Sequence, residues 1–114
     1  MDYAEYLPHI DVKDGVGRIL NNMKLYLSLL TRFKGRIMTD NLINAINENN
    51  SADIVQAAHA LKGTAANLGF TAMYKITEII EAAGKNGESC TGYVTELEST
   101  FEELDAAIKK LTAA

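Results

Sequence analysis

The stretch His59-Ala-Leu-Lys-Gly contains three residues that could act together chemically, namely His59, Lys62 and Gly63. A neutral imidazole is a nucleophile near pH 7. An ammonium group three residues further along a helix can interact with a group bound to the ring and screen the charge of an attached phosphoryl group. Gly63 removes a side chain that would otherwise crowd the imidazole. These residue types suit phosphoryl transfer, in which an exposed ring nitrogen would accept and return the group, with room for a large partner. Taken alone, an exposed histidine on a helix is usually inert, and a helical glycine can instead mark close helix packing.

The helix that must position these residues is predicted over residues 51–68. Five apolar residues fall within roughly 40° of one direction on a helical wheel, and they are Ile54, Ala58, Leu61, Ala65 and Leu68. His59 lies about 140° from that direction and Gly63 about 180°. Because the apolar stripe faces the core, we expect both residues to lie outward. Gly63 costs the helix about 1 kcal/mol relative to Ala.

The rest of the chain is also predicted to be helical, because Pro8 is the one proline in the sequence. A short helix is expected over 11–19, a long one over about 22–49, and further helices over 71–83 and about 91–111. The long helix bends near Gly35, or it splits there or at residues 39–41. The last helix carries a regular apolar seam formed by Val94, Leu97, Phe101, Leu104, Ile108 and Leu111.

The ends of these helices have their own signals. Asn21 or Asn22, then Ser51 and Thr71, are expected as N-caps. Gly69 is expected to end the helix that carries His59, and residues 84–87 are expected to form a loop. Short connections make neighbouring helices antiparallel. We therefore predict one all-α domain over residues 1–114, an up-down-up-down antiparallel four-helix bundle (about 22–111) with the short N-terminal helix (about 11–19) across one end.

The composition narrows the possible partners and compartments. The net charge of −4 argues against a nucleic-acid partner. Cys90 is the single cysteine, so no internal disulfide can form, and it is expected to be an incidental loop thiol. No targeting signal or apolar run long enough to span a membrane is visible. These features favour a cytoplasmic location and no membrane association, and we expect a monomer.

Several kinds of site are not indicated. No phosphate-binding Gly-rich loop occurs, so we expect neither ATP binding nor autonomous kinase activity. A metal site is not expected, because neither His9 nor His59 has a second His or Cys at i+3 or i+4. His9 is interpreted as an incidental terminal residue. The acidic residues of the last helix are expected to form a solvated face, and they are Glu98, Glu102 and Glu103.

The run from His59 to Gly69, HALKGTAANLG, resembles the active helix of histidine-containing phosphotransfer (HPt) domains. The similarity covers most of the chain, including residues 10–33 and the Ile80-Glu81 pair. It implies that His59 is the phosphoacceptor through Nε2, that Lys62 gives electrostatic support and that Gly63 provides clearance. It also implies receiver domains of response regulators or hybrid sensor kinases as partners, which bring an aspartate and Mg²⁺. The chain itself is expected to bind no cofactor.

The resemblance also implies a docking surface, formed by the exposed face around His59 together with the preceding helix. We assign to it Val55, Gln56, Lys62, Gly63, Ala66, Asn67 and Phe70. Two of these have a structural alternative, since Phe70 could belong to the core and Asn67 could support the helix end. One departure from the family pattern is Ala60, which stands where a hydroxyl-bearing residue is frequent.

Two alternative functions stay open on the sequence. The chain could be the phospho-donor domain of a chemotaxis-type histidine kinase, whose similar H-x-x-K-G helix also ends in Gly-Phe, as Gly69-Phe70 does here. A kinase rather than a receiver would then phosphorylate His59. The chain could also be a non-phosphorylated helical adaptor with His59 as a bystander, and replacing His59 would then leave partner function intact.

Overall fold

The computed structural model describes residues 3–113, and this part of the chain contains helices and no strand. The six α-helices are α1 (Val12–Arg18), α2 (Met23–Arg32), α3 (Gly35–Asn47), α4 (Ser51–Leu68), α5 (Thr71–Lys85) and α6 (Val94–Ala113). Short 3-10 turns cover Ala4–Tyr6 and Thr91–Tyr93. The all-α prediction is therefore confirmed for the described residues. No helix among them is long and apolar enough to cross a membrane.

The long helix predicted over 22–49 is divided into α2 and α3, which leaves Phe33 and Lys34 between them. The backbone of Phe33 is extended, and its ring packs against that of Phe70 with 5.0 Å between ring centroids. Gly35 then begins α3 where there is no room for a side chain, because a Cβ there would lie 2.6 Å from the rings of both Phe33 and Phe101. Aromatic packing around Gly35 thus explains the division.

The helix ends confirm some of the predicted caps and correct others. The side chain of Asn22 caps α2 by accepting a hydrogen bond from the amide of Leu25. Asn50 rather than Ser51 caps α4, and Thr71 is the first residue of α5 rather than its cap. Gly69 ends α4 in the left-handed region, with φ of 78°, as predicted. Its carbonyl accepts a hydrogen bond from the amide of Asp11.

The prediction of a loop over residues 84–87 is wrong at its start, because α5 continues through Gly84 to Lys85. Gly84 is buried at the contact between α4 and α5. A Cβ at this position would lie 3.0 Å from a methyl group of Ile54 and 3.1 Å from one of Val55. The missing side chain therefore lets the two helices approach closely.

The helices pack around a common core. Helix α4 packs against α3 and α5, and α6 packs against the same two helices. Helix α1 lies against α4 and α2. Helix α2 is joined to the end of α4 by the buried hydroxyl of Tyr26, which donates a hydrogen bond to the carbonyl of Leu68 at 2.6 Å. The predicted seam of α6 is buried apart from Val94, which is half-buried.

Three residues predicted to be incidental or solvated have a defined place in the fold. Cys90, predicted to be an incidental loop thiol, is buried in the core. The imidazole Nε2 of His9 lies 3.0 Å from a carboxylate oxygen of Glu103 on α6. Glu98 is half-buried and pairs with Arg36 of α3 at 2.6 Å, whereas Glu102 and Glu103 are exposed as predicted.

Candidate active site

His59 projects from the outward side of α4, as the helical wheel predicts. Its side chain is 71% exposed. The five apolar residues assigned to the opposite face are all buried, and they are Ile54, Ala58, Leu61, Ala65 and Leu68. The amphipathic pattern of α4 therefore holds one face in the core and presents the imidazole to solvent.

The imidazole has a partner on the next helix, Glu81 of α5, whose side chain is only 5% exposed. One carboxylate oxygen, Oε2, lies 3.0 Å from Nδ1 of His59. The other oxygen, Oε1, lies 2.6 Å from Nζ of Lys62, and Lys85 approaches Oε2 at 3.3 Å. Glu81 thus joins His59 to two lysines.

These contacts determine the protonation state of Glu81. The close ion pair with Lys62, opposed in part by burial and assisted by Lys85 and His59, lowers the pKa of Glu81 from 4.5 to about 2. The same pairing raises the pKa of Lys62. Glu81 is therefore ionised at neutral pH, and an ionised carboxylate can only accept hydrogen bonds.

The ionised carboxylate also decides the tautomer of the neutral imidazole. Because Glu81 can only accept, Nδ1 of His59 carries the proton and donates it. The lone pair then lies on Nε2, and a hydrogen bond made by one ring nitrogen determines the role of the other. Nε2 is therefore the ring nitrogen whose lone pair is free to take part in chemistry.

Gly63 lies on the exposed side of α4, one turn after His59, and a Cβ built there would have nothing within 4 Å. No packing in the described part of the chain requires a glycine at this position. The space beside the imidazole is open, which agrees with the predicted clearance for a partner.

The other residues assigned to the docking surface divide into two groups. Gln56 and Asn67 are exposed on α4, and Val55 and Ala66 are half-buried beside them. Phe70 is fully buried against Phe33, so its assignment to the docking surface is wrong and the core alternative holds. It comes just after the left-handed turn at Gly69, which directs the chain inward at the end of α4.

Sequence reasoning did not assign Glu81 or Lys85 to the site, although it noted the Ile80-Glu81 pair. A usable signal was present. On a helical wheel Glu81 lies about 100° from Ile80, at the edge of the buried face of α5. A carboxylate that close to the core requires a partner. What the wheel could not supply was the identity of that partner on α4.

The Hpt domain family model matches residues 29–113, which include the whole site. The chain belongs to the Hpt domain family. Hpt domains act with receiver domains and histidine kinases in phosphorelays, and histidine phosphotransfer is the role of this Hpt domain.

The fold of this Hpt domain is similar to the HPT domain of the Hpt sensor hybrid histidine kinase from Shewanella. The TM-score is 0.77 and the sequence identity 17%, and the match covers 91% of this chain and 93% of that one. At this identity the likeness shows a shared fold. A comparison with curated proteins finds no match.

Proposed function

We propose that His59 is the phosphoacceptor of this Hpt domain and that Nε2 takes the phosphoryl group. One observation carries the proposal: Nδ1 of His59 is held by buried, ionised Glu81 at 3.0 Å, while 71% of the histidine side chain is exposed. This arrangement supports the proposal because Glu81 holds the ring through Nδ1 and the imidazole stays accessible to a partner.

The proposed step is a direct transfer from a phosphorylated aspartate of a partner. The lone pair of Nε2 forms the N–P bond as the P–O bond to the aspartate breaks, and the electron pair of that bond returns to the aspartate carboxylate. The proton stays on Nδ1, where Glu81 accepts its hydrogen bond. The ring becomes an imidazolium in this step, so the carboxylate opposite Nδ1 stabilises the product electrostatically. The reverse step passes the group to another aspartate.

The partner is a receiver domain of a response regulator or hybrid kinase, and it brings the aspartate and the Mg²⁺ ion. Its docking surface on this chain comprises Val55, Gln56, Lys62, Gly63, Ala66 and Asn67. Exposure of Gln56 and Asn67 and the open space at Gly63 support this surface. Lys62 assists by screening the phosphoryl charge.

We further propose that α3 to α6 form the up-down-up-down antiparallel bundle, with α1 across one end. The contacts of α4 and of α6 with both α3 and α5 support this arrangement. The chain acts as a monomer in the cytoplasm. Its lone cysteine, which can form no internal disulfide, is compatible with that compartment.

The deciding experiment mixes the protein with a receiver domain carrying labelled phosphate and Mg²⁺, beside the variants His59→Gln and His9→Gln. We expect acid-labile, base-stable label on the wild type and on His9→Gln, and none on His59→Gln. The thermal midpoint of His59→Gln should stay close to that of the wild type, because the side chain is mostly exposed. A large loss of stability would contradict the outward position of the ring.

The same experiment separates the alternatives. If several receivers leave the wild type unlabelled, the protein is next incubated with ATP and a histidine kinase core. Label on His59 in that case would indicate a kinase phospho-donor domain. Absence of label in both cases, with partner function intact in His59→Gln, would indicate an adaptor.

A further inference from the structure

Lys85 occupies the last turn of α5, one turn after Glu81. Its Nζ lies 3.3 Å from Oε2, the same oxygen that accepts the hydrogen bond from Nδ1 of His59. The side chain is 62% exposed and, among residues 3–113, makes no other ion pair. Lys85 therefore reaches the imidazole only through the carboxylate.

Two lysines share one buried carboxylate. Lys62 makes the shorter contact, 2.6 Å to Oε1, and its side chain is 24% exposed. One carboxylate balances one ammonium group, so the cluster of Lys62, Lys85 and Glu81 carries a surplus positive charge beside the His59 ring. A single lysine would be enough to pair Glu81 in the unphosphorylated protein.

The number of cations needed around Glu81 changes when a phosphoryl group is attached to Nε2 of His59. Of the two lysines, Lys62 lies on the helix of His59, at i+3, where it can turn toward the new negative charge. Glu81 would then lose its closest partner while remaining almost completely buried. The phosphorylated ring still presents an imidazolium to Oε2, but the attached phosphoryl group offsets its charge, and a buried carboxylate that loses an ammonium partner is disfavoured.

We propose that Lys85 is a positioning residue, which keeps Glu81 paired with a cation when Lys62 turns to the phosphoryl group on His59. Lys62 and Lys85 thus have separate tasks, one on the phosphoryl group and one on the carboxylate. The proposal rests on the assignment of His59 as the phosphoacceptor.

The charged groups around Glu81 are compatible with Lys62 leaving the carboxylate while Lys85 remains paired with it. From α4 the carboxylate is faced by His59 and Lys62, and from α5 by Lys85, while Glu78 and Tyr74 of α5 act on Lys62 from a greater distance. Glu78 and Tyr74 make no ion pair with Lys62 in the described structure. Outside α4 and α5, no charged side chain in residues 3–113 pairs with Glu81, so Lys85 is the lysine left on the carboxylate when Lys62 moves.

The test measures the equilibrium of label between a phosphorylated receiver and His59, for the wild type, Lys85→Met, Lys85→Arg and the control Lys75→Met. Lys75 is an exposed lysine of the same helix with no ion pair in the described structure. We expect Lys85→Met to shift the equilibrium away from His59 by about two- to fivefold, the range of a partly exposed ion pair. Lys85→Arg should restore it, and Lys75→Met should match the wild type.

A second measurement distinguishes a role of Lys85 in positioning Glu81 from a role in stabilising the folded protein. The ¹⁵N shifts of the His59 ring should report the Nδ1–H tautomer in unphosphorylated Lys85→Met, because Lys62 still pairs with Glu81. In the phosphorylated variant the Nδ1 proton should exchange faster with water than in the wild type. An unchanged equilibrium in Lys85→Met, with label still confined to His59, would overturn the role of Lys85 and leave the proposed function standing. Absence of label on the wild type would overturn both.

Discussion

Nδ1 of His59 and Oε2 of Glu81 lie 3.0 Å apart, although the two residues belong to different helices and stand 22 positions apart in the chain. Close packing of α4 on α5 makes this contact possible, because Gly84 leaves room for the side chains of Ile54 and Val55. The contact joins an exposed imidazole to a buried carboxylate. It is the feature from which the chemical behaviour of the site follows.

Replacing Glu81 with Gln should slow phosphoryl transfer by about tenfold, the order of magnitude seen when a group that orients a functional histidine is lost. The amide can turn either its oxygen or its NH₂ group toward Nδ1, so the ring is no longer held in one tautomer. Initial rates from a labelled receiver measure the effect. Glu96→Gln, which neutralises an exposed glutamate of α6, is the matched control. A normal rate in Glu81→Gln would show that the contact does not prepare the ring.

The stability due to Glu81 should depend on pH in a defined window. The contacts with Lys62, Lys85 and His59 lower its pKa from 4.5 to about 2. A depressed carboxylate pKa stabilises the folded state above the unfolded pKa, and this stabilisation is lost as the pH falls toward the folded pKa. The difference in unfolding free energy between wild type and Glu81→Gln should therefore shrink as the pH falls from about 4.5 to about 2.

Denaturant unfolding at several pH values from 2 to 7 gives this difference directly. Glu98, whose pKa is lowered by Arg36, is present in both proteins, so its contribution cancels. A difference that stays constant down to pH 2 would mean that Glu81 has an ordinary pKa in the folded protein.

Two substitutions at Gly63 should separate helix stability from access. Gly63→Ala should raise the free energy of unfolding by about 0.5–1 kcal/mol, because a Cβ meets open space and Ala favours helix. Gly63→Leu should keep the helix but slow transfer strongly, since its side chain would extend beside the imidazole. Circular dichroism and transfer rates measure the two effects, and a normal rate in Gly63→Leu would exclude the clearance role.

Gly15 provides the contrasting control for Gly63. It lies in α1, and a Cβ there would be 2.5 Å from the hydroxyl of Tyr26 and 2.7 Å from the carbonyl oxygen of Leu68. Gly15→Ala should therefore destabilise the protein although Ala is the better helix former. If Gly63→Ala stabilises the protein and Gly15→Ala destabilises it, the open space around Gly63, and not helix propensity alone, explains the difference.

Tyr26→Phe should destabilise the domain by about 1–3 kcal/mol, because it leaves the buried carbonyl of Leu68 without its 2.6 Å hydrogen bond. Burial is also the main cause that raises the pKa of the Tyr26 phenol. Denaturant unfolding measures the loss. Tyr93→Phe removes a hydroxyl that makes no hydrogen bond within residues 3–113, and it should leave stability nearly unchanged. Equal stability of both variants would show that the bond to Leu68 contributes little.

Much of the fold was predictable because its signals are local. The apolar spacing of α4 predicted both its buried face and the outward position of His59, and Gly69 marked its end through its left-handed backbone. The prediction failed where a tertiary contact overrode the local signal. The sequence pattern places Gly84 in a loop, yet it is a helical residue that allows close helix packing. Phe70 directly follows the helix that carries His59, yet its ring packs on Phe33.

The sequence by itself determined that the chain is helical, that His59 faces outward and that Lys62 and Gly63 lie one turn away, because these are properties of a single helix. Only the tertiary structure decided that Glu81 binds Nδ1 and that Lys85 shares the carboxylate. The pairing depends on how closely α4 and α5 approach and on their relative rotation. Those quantities come from side-chain packing between helices, for which the residue spacing within either helix contains no information.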